Sequence, residues 1–582
     1  MCGISGIVQK KNQTLDRSDI DKMVHAQRHR GPDGEGVYEG PGFFLGHNRL
    51  AILDLSDAGL QPMQYHHKNG VNYVLIHNGE VYNFIEIRDE LRALGHQFKT
   101  ETDTEVLVHA YAEWGVSCLD HFNGMFAFVV YDPAKKILFG ARDRFGIKPL
   151  HLQMTAETFA FASEIKAFLA IGKVDGVDRQ TVVDYLYAGH IHHSSRTFFK
   201  GVEELKPGHR FVYDLQAHVI KTEPWYVLRD HVRPLHIGAR EAANKLRALL
   251  TESIRLRLRS DVRVGTCLSG GVDSSSIASI ASTLYQGKQF AGITAESIDP
   301  ETDESAFAQA VAEHAKLDWH RVKPQDFRGQ LFDVLRAQDE PFAGLSVFMQ
   351  DAVMRKAREL GISVLLDGQG GDEVFLGYPK YLQARMFPPL RLFGKKLASA
   401  FGLMEAREFD EDFKRSAPRE LEESREHLLN YRRALSSSAE AQILDITQTN
   451  LPQLLRYEDR NSMRYAVETR LPFLDYRIVE FGLGLKFGLK VAGHRQKAVL
   501  RDAMRGAVPT QVLERRDKIG FAAPDRSWQQ DFQELWREHV IGSKLLTELL
   551  PDQVRRPANA LSASSQWKLI NLALWSQGIA KD

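Results

Sequence analysis

Cysteine is scarce in this chain, and so are long apolar runs and any excess of one charge. The 582 residues contain three cysteines, Cys2, Cys118 and Cys267, whose wide spacing argues against a zinc site or a disulfide framework. Lysine plus arginine and aspartate plus glutamate both number 75, so net charge favours neither nucleic acid nor an anionic membrane. The longest apolar runs, typified by residues 125–131, fall well short of the roughly 18 residues of a membrane span. With no secretory signal visible, we expect a cytoplasmic protein without a membrane or nucleic-acid partner.

The pattern of apolar residues changes near residue 239. Before it, short β-like runs such as 71–77 and 137–141 are interspersed with helical periodicity at 85–94 and 104–114, which predicts sheets covered by helices. A segment with proline and histidine around 232–237 is the predicted linker.

Beyond the linker, predicted strands alternate with predicted helices. The strands fall at 262–268, 290–295 and 363–367, each followed or preceded by a helical segment, which predicts a mostly parallel α/β sheet. After residue 378 the chain is predicted to be nearly all helical, and the pattern does not show what residues 380–445 contact. We therefore predict an α+β domain at 2–217 and an α/β domain at 236–582.

Cys2 is the first candidate for chemistry. Removal of Met1 before this residue would leave Cys2 with both a thiol and a free α-amine, whose unperturbed pKa values of about 8.5 and about 8 allow proton exchange near neutrality. One residue would then supply both nucleophile and base. Taken alone, Cys2 fits a buried cysteine in an N-terminal strand better than a nucleophile.

Side chains suited to binding glutamine occur downstream of Cys2. Arg49 can clamp a carboxylate with two hydrogen bonds, and the Asn78 side chain with the Gly79 backbone N–H can hold an oxyanion. Glu80 and Asp103 can bind the ammonium group of an amino acid. A surface arginine, a hairpin turn and a helix N-cap are the structural alternatives for these positions.

Five segments together carry a family resemblance. They read CGI at 2–4, RGPDG at 30–34, NGEVYN at 78–83, ARDRFGIKPL at 141–150 and ASEIK at 162–166. In this order they resemble the N-terminal-nucleophile glutaminase domain of class II amidotransferases, over residues 2 to about 215. The resemblance implies an αββα sandwich and assigns six site residues: Cys2 as nucleophile, Asn78 and Gly79 as oxyanion hole, and Arg49, Glu80 and Asp103 as glutamine ligands.

A glycine-rich loop lies between a predicted strand and a predicted helix of the second half. Its glycines let backbone N–H groups approach an anion, its hydroxyls add donors, and the helix N-terminus favours negative charge. It is not the G-x-x-x-x-G-K-[ST] loop, but it resembles the pyrophosphate loop of ATP pyrophosphatases, which adenylate a carboxylate. A glycine turn that caps a helix is the structural alternative. The resemblance assigns ATP and pyrophosphate to Leu268, Ser269, Gly270, Gly271, Asp273, Ser274 and Ser275.

A second glycine loop follows the predicted strand that ends at Asp367. Ligands of open α/β sheets bind beyond the carboxyl ends of the strands, so Gly368, Gln369 and Gly370 are predicted to face phosphate as well. Asp372, together with Asp273, is the predicted Mg²⁺ ligand, since Mg²⁺ prefers carboxylates and phosphate oxygens. Helix capping is the alternative for Asp372.

Motifs at 456–463, 468–475 and 495–498 extend the resemblance to nearly the whole chain except 380–445. The chain resembles the glutamine-hydrolysing asparagine synthetase family, which implies glutamine, ATP and a carboxylate acceptor as substrates, Mg²⁺ as cofactor, and often a homodimer. By that resemblance Lys497 stabilises the charge that develops as ammonia attacks an acyl-adenylate. Glu458 and Asp475 are predicted to be structural and to pair with nearby arginines.

Gln369 departs from the family pattern, which usually has glutamate there. A neutral amide supplies no charge and cannot act as a base. Residues 518–524 also resemble the branch found in bacterial surface-polysaccharide and natural-product pathways. Aspartate is thus the first expected acceptor, and a sugar acid or biosynthetic intermediate the second. A hydrolase that uses only the glutaminase half, and a β-lactam-synthetase-like or regulatory paralogue with a dead glutaminase site, are the remaining alternatives.

Overall fold

The computed structural model describes residues 2–10, 16–68, 70–174, 176–286, 289–324, 326–385, 409–493, 495–515 and 525–579. None of the helices in these ranges combines the length and the apolar character that crossing a membrane requires. Residues 518–524, on which the resemblance to one family branch rests, lie outside the described residues.

Two six-stranded antiparallel sheets form the centre of the first half. Their strands are β1 (Gly3–Gln9), β2 (Gly34–Gly40), β3 (Phe43–Arg49), β4 (Met63–His66), β5 (Asn72–Val81), β6 (Gly124–Asp132), β7 (Ile137–Arg142), β8 (His151–Met154), β9 (Thr158–Ala162), β10 (Val202–Glu204), β11 (His209–Asp214) and β12 (Val219–Pro224). The first sheet has the order β10-β8-β9-β1-β3-β2 and the second the order β12-β11-β7-β6-β5-β4. β12 extends the second sheet beyond residue 217.

The sheets pack face to face with helices on both outer faces. The period-two alternation of β1 shows why: Ile4 and Val8 point into the core between the sheets, whereas Ile7 packs against the helical layer. The helices of this half are α1 (Arg17–Ala26), α2 (Phe84–Ala93), α3 (Asp103–Trp114), α4 (Cys118–His121), α5 (Lys166–Leu169) and α6 (Arg179–Tyr187). The expected αββα sandwich is confirmed.

The second half is built on one five-stranded sheet in which all pairings are parallel. The strands are β13 (Val264–Cys267), β14 (Ala291–Ala295), β15 (Asp318–Val322), β16 (Val364–Leu366) and β17 (Glu468–Arg470), in the order β15-β14-β13-β16-β17. The predicted parallel sheet is confirmed. The two edge strands were not predicted, because one is polar and half-buried and the other has only three residues.

Helices enclose this sheet and make up most of the C-terminal part. They are α7 (Leu228–His231), α8 (Ala239–Arg257), α9 (Val272–Leu284), α10 (Ser305–His314), α11 (Phe327–Gln338), α12 (Ser346–Glu359), α13 (Gly371–Phe375), α14 (Asp410–Ser416), α15 (Pro418–Ala434), α16 (Ser438–Thr447), α17 (Asn450–Arg464), α18 (Tyr476–Gly484), α19 (Phe487–Lys490), α20 (Ala498–Ala503), α21 (Thr510–Leu513), α22 (Asp525–Leu535), α23 (Lys544–Leu549), α24 (Pro551–Arg555) and α25 (Ala563–Ile579).

The described part of 380–445 connects the two halves. Helix α15 packs along α6 of the sandwich, where Gln180 Nε2 donates to Ser424 Oγ at 3.2 Å and Ser424 Oγ donates to Asp184. At its other side, Gln442 Nε2 donates to the Glu373 carbonyl of the second half at 2.6 Å. These contacts show what this segment packs against, which the sequence pattern did not.

Candidate active sites

Cys2 stands at the start of β1, in the middle of the first sheet, and its side chain is buried. Its backbone N–H donates to Asn78 Oδ1 at 3.1 Å, and its carbonyl accepts from Arg30 Nε at 3.0 Å. Burial raises the pKa of the Cys2 thiol. The thiol is therefore protonated at neutral pH, and a base has to take its proton before it can act as a nucleophile.

Asn78 and Gly79 lie next to Cys2 at the end of β5. Asn78 Nδ2 donates to Ser163 Oγ at 3.4 Å, which in turn accepts from the Ile4 backbone N–H at 3.0 Å. Gly79 has φ +147°, and a Cβ there would stand 2.0 Å from the carbonyl oxygen of Met125 on β6. This strand end is thus packed tightly around the predicted oxyanion hole.

The predicted glutamine ligands gather beside this strand end. Asp103 Oδ2 accepts from the Val81 N–H at 2.8 Å, so the first turn of α3 is pinned to β5. Burial raises the pKa of Glu80 well above its usual range, and the nearby Asp103 charge adds to this effect. Arg49 Nη1 donates to the Ser56 carbonyl at 2.6 Å, and its guanidinium reaches the loop at Gly59 that also contacts Thr102.

Two residues of the second half reach this site. Arg470 Nε donates to Glu468 Oε1 at 2.6 Å, and Arg470 Nη2 lies 3.4 Å from Glu80 Oε1. Burial opposes ionisation of Glu468, but the surrounding positive charge, Arg470 included, lowers its pKa to about 2. Both residues belong to a motif noted in the sequence, but nothing in the sequence showed that they would lie beside Glu80.

Arg30 forms a second bridge between the halves. Its fully buried guanidinium donates to Glu164 Oε1 at 2.6 Å and, with two nitrogens, to the Asp459 carboxylate at 2.8 and 3.0 Å. Burial opposes the Arg30 charge, but Asp459 and Glu164 outweigh it and raise its pKa. Because Arg30 also holds the Cys2 carbonyl, α17 is connected to the nucleophile through one side chain.

A cavity of about 920 Å³ opens at the carboxyl ends of β13 and β16. Most of the predicted nucleotide-site residues line it: Leu268, Ser269, Gly271, Asp273, Ser274, Gly368, Gln369, Asp372 and Lys497. Gly270, Ser275 and Gly370 are not among the lining residues. Gly270 shapes the loop instead, since its φ is +76° and a Cβ would stand 2.7 Å from the Ala308 backbone nitrogen.

The first glycine loop is organised around two hydroxyls. Ser274 Oγ accepts from the Ser269 N–H at 3.2 Å and lies 3.0 Å from Ser269 Oγ. Gly271 is the N-cap of the 13-residue helix α9, whose N-terminus faces the cavity. Backbone N–H groups and a helix N-terminus at one point form a site suited to an anion.

Lys497 joins the two carboxylates that were predicted to bind Mg²⁺. Its Nζ lies 2.6 Å from Asp372 Oδ1 and donates to Asp273 Oδ2. Burial alone would lower the pKa of Lys497, but Asp273 and Asp372 together raise it. The lysine takes a left-handed backbone, φ +53°, which aims its side chain into the cavity from the start of α20.

Among the described residues no arginine pairs with Glu458, so this prediction was wrong. Its neighbours are Asp367, Lys148 and Thr469, since α17 turns Glu458 toward the sheet. Burial raises the pKa of Glu458 well above its usual range, and Asp367 adds to the effect. The prediction for Asp475 is confirmed, because Arg477 and Arg257 lie 2.8 and 3.3 Å from its Oδ2.

Two further arginines line the cavity without having been singled out from sequence. Arg515 pairs with Glu304 at 2.6 Å and lies over the Phe307 ring at 4.2 Å. Arg501 Nη1 donates to the Leu513 carbonyl at 2.6 Å, and burial lowers its pKa. Both bring positive charge to the cavity wall that also contains the first glycine loop.

A cysteine-headed αββα sandwich, joined to a parallel sheet with an anion-binding loop, is the architecture of a glutamine-hydrolysing, ATP-dependent amidotransferase. Residues 1–226 match the family model described as glutamine amidotransferase domain, and residues 245–577 match the model described as asparagine synthase. The chain belongs to the asparagine synthase family. Its activity is accordingly an ATP-dependent amidation with glutamine as nitrogen source.

Similar proteins carry several names. "Asparagine synthetase [glutamine-hydrolyzing] 3" of Bacillus subtilis is 32% identical, over 89% of this chain and 86% of the relative. "Putative asparagine synthetase [glutamine-hydrolyzing] 2" of Methanocaldococcus jannaschii is 33% identical, over 68% of this chain and 81% of the relative. "Amidase chyE" of Penicillium rubens is 28% identical, over 91% and 89%.

Proposed function

We propose that this enzyme converts aspartate to asparagine, using glutamine and ATP and releasing glutamate, AMP and diphosphate. The observation that carries the proposal is the cavity in which the first glycine loop, Gln369 and Lys497 converge. Relatives named asparagine synthetase over most of the chain support aspartate as the acceptor.

In the first half, Cys2 attacks the side-chain carboxamide of glutamine. Once Met1 is removed, the α-amine takes the thiol proton; in the structure the same nitrogen is already oriented by Asn78 Oδ1 at 3.1 Å. The Asn78 amide and the Gly79 N–H hold the oxyanion, while Arg49, Glu80 and Asp103 bind the amino-acid end. Ammonia leaves, and water hydrolyses the thioester to glutamate.

In the second half, ATP transfers its adenylyl group to the acceptor carboxylate, and diphosphate leaves over the loop at Ser269. We propose Asp273 and Asp372 as the Mg²⁺ ligands. A Cβ at Gly371 would lie 2.8 Å from Asp273 Cγ, and one at Gly377 would collide with the Asp372 carboxylate, so both glycines leave room for the carboxylates to converge. Two carboxylates beside a phosphate site fit Mg²⁺, which would there neutralise charge on the phosphates. Lys497 keeps its proton and faces the reacting carbonyl oxygen.

Ammonia that attacks the acyl-adenylate becomes positively charged at nitrogen and has to lose a proton. Gln369 cannot accept one, because an amide is not a base. Asp367 lines the cavity, and Glu458 lies behind it, so close that the two carboxyl groups can share a proton. We assign the base role to this pair: its remaining carboxylate takes the proton from nitrogen as the C–N bond forms and AMP leaves.

Glu458→Gln tests that assignment. ATP–diphosphate exchange driven by the acceptor should survive, because adenylation needs no base, whereas amide formation should fall about a hundredfold or more, the lower end of the range for loss of a general base. The double variant Glu458→Gln with Gln369→Glu is the companion experiment, because it restores a carboxylate in the same cavity. Loss of exchange and of amide formation in equal measure would show that Glu458 acts on binding or folding instead.

The division of labour between the halves is tested with Cys2→Ala. We expect glutamine-dependent product to vanish while product from ammonium salts stays near the wild-type rate, read as amide by mass spectrometry. If the ammonium-driven reaction were lost as well, the two sites would not be separate.

The second candidate acceptor is another carboxylate, such as a sugar acid or a biosynthetic intermediate. Gln369 and the relative named amidase favour it. A panel of carboxylic acids, supplied with ATP and glutamine, should give diphosphate release with aspartate; release only with a different acid would replace aspartate as the substrate.

We further propose two domains, predicted at 2–217 and 236–582, the first of which extends to residue 224 because β12 belongs to its second sheet, and the cytoplasm as the place of action. The three cysteines are all unpaired thiols, which supports a reducing compartment. A homodimer, and the absence of nucleic-acid or membrane partners, stay predictions.

A further inference from the structure

A cluster of metal-binding side chains lies on the first half, outside the large cavity and apart from the residues around Cys2. It consists of His67, His96 and Glu113, which we call the His-Glu cluster. His67 follows β4, His96 lies in the loop between α2 and α3, and Glu113 is in the last turn of α3. One ligand atom from each residue lies within 4.8 Å of the others.

The distances suit a single small cation. His96 Nε2 lies 2.9 Å from Glu113 Oε2, and the His67 and His96 rings have centroids 5.8 Å apart. Zinc binds imidazole nitrogen and carboxylate oxygen at about 2.0–2.2 Å, so donors this close can share one ion after small side-chain rotations.

The environment holds His96 in place without a metal. The ring is almost fully buried, and its Nδ1 lies 3.0 Å from His109 Nδ1 and 3.2 Å from Tyr65 Oη. His109 is in turn stacked on Tyr65, with centroids 3.7 Å apart. Metal-binding histidines usually engage their second ring nitrogen in this way, which leaves Nε2 aimed at the ion.

We propose that the His-Glu cluster is a structural Zn²⁺ site, with His67, His96 and Glu113 as protein ligands and water completing the shell. Two imidazoles and one carboxylate favour zinc or a similar late first-row ion over Mg²⁺ and Ca²⁺, which prefer oxygen ligands. The ion would tie three chain segments, the end of β4, the α2–α3 loop and the end of α3, on the outer side of the second sheet. Its role is to stabilise the glutaminase half and not to take part in the reaction.

The test uses the full-length protein, stripped with a chelator and then titrated with Zn²⁺ alone. We expect one tightly bound ion per chain by calorimetry and elemental analysis, and a rise of several degrees in the melting temperature of the first half. His67→Asn and Glu113→Gln, combined, should weaken the binding at least tenfold and abolish the melting shift, while glutaminase activity stays at the wild-type level. Both changed side chains are partly or largely exposed, so the fold should tolerate them.

His66→Asn is the matched control, because His66 is the exposed neighbour of His67 and not part of the cluster. It should bind zinc like the wild type. Equal zinc retention in the double variant and the wild type, or no zinc retention by the wild type, would overturn the proposal, and the first result would point to Cys2 or the carboxylates of the large cavity as the binding site.

Discussion

At Gly79, β6 passes directly over the place where any other residue would carry its Cβ. The contact with the Met125 carbonyl at 2.0 Å involves backbone on both sides, so no side-chain rotation can relieve it. The backbone at φ +147° is also one that only glycine adopts without strain. One glycine thus permits both the strand pairing and the oxyanion donor beside Cys2.

Gly79→Ala should therefore lower the free energy of unfolding much more than a glycine replacement that introduces backbone strain alone. We expect a loss of more than about 3 kcal/mol in the free energy of unfolding of the first half, since overpacking adds to the strain. Glutamine hydrolysis should be lost as well. Urea unfolding and a glutamate assay measure the two effects.

Gly42→Ala is the control for Gly79→Ala. Gly42 has φ +78°, yet nothing lies within 4 Å of its would-be Cβ, so only the backbone term of about 1–2 kcal/mol applies. Equal destabilisation by both changes would contradict the steric argument.

Among the elements, α17 contributes to both sites. Successive residues point in different directions around the helix: Asp459 to Arg30 and the glutaminase half, Glu458 to Asp367 below the cavity. Tyr457 turns to a third side, where its hydroxyl accepts from the Ala343 N–H at 3.1 Å. The polar residues of this helix are thus almost all buried, and each side chain contacts a different set of neighbours.

The short helix α19 gives a pH-dependent prediction at the scale of element packing. Burial lowers the pKa of Lys490 to about 7, and its Nζ lies 2.8 Å from Gln442 Oε1 on α16. An unfolded lysine keeps its proton up to about pH 10.4. Between these values the unfolded chain binds more protons than the folded one, so stability rises with pH, by up to about 1.4 kcal/mol per unit.

Lys490→Met should flatten this rise between pH 7 and pH 10, as measured from unfolding of the second half at several pH values. Lys486→Met, at a solvent-exposed lysine just before α19, should leave the rise unchanged. Identical slopes in the wild type and Lys490→Met would show that Lys490 keeps its charge in the folded protein.

At the scale of the whole molecule, charged side chains cross between the halves at two points close to Cys2. Arg30 binds Asp459, and Arg470 approaches Glu80. Replacing both partners of a buried ion pair by apolar residues is often tolerated, but removing one leaves a buried charge without compensation. These two bridges are among the contacts that fix the relative position of the two sites.

Asp459→Asn is predicted to uncouple the two reactions. Arg30 would keep Glu164 but lose the charge of its bidentate partner, so the contact between α17 and the Cys2 strand would weaken. We expect the ratio of glutamate formed to AMP formed to exceed that of the wild type, while the ammonium-driven reaction is retained. Asp318→Asn, which breaks a half-exposed pair with Arg263, should leave the ratio unchanged, and an unchanged ratio in Asp459→Asn would contradict the role of this bridge.

Much of the fold followed from local patterns. The predicted strand at residues 137–141 and the predicted helix at 239–258 correspond to β7 and α8, because apolar period and turn residues are local signals. β15 and β17 were missed because their residues are polar, and only the neighbouring strands of the sheet explain them. The pairing predicted for Glu458 was wrong because an arginine nearby in sequence need not be nearby in space.

The residue types that surround Cys2, and the glycine loops at Ser269 and Gly368, were determined by the sequence itself, since reaction chemistry restricts those positions to few amino acids. Tertiary structure alone decided that Asp459 meets Arg30, 429 positions away, and that Lys497 joins Asp273 to Asp372. It also decided that Glu458 lies behind Asp367 at the large cavity. Such pairings arise from packing of whole elements, whose long-range geometry no short segment encodes.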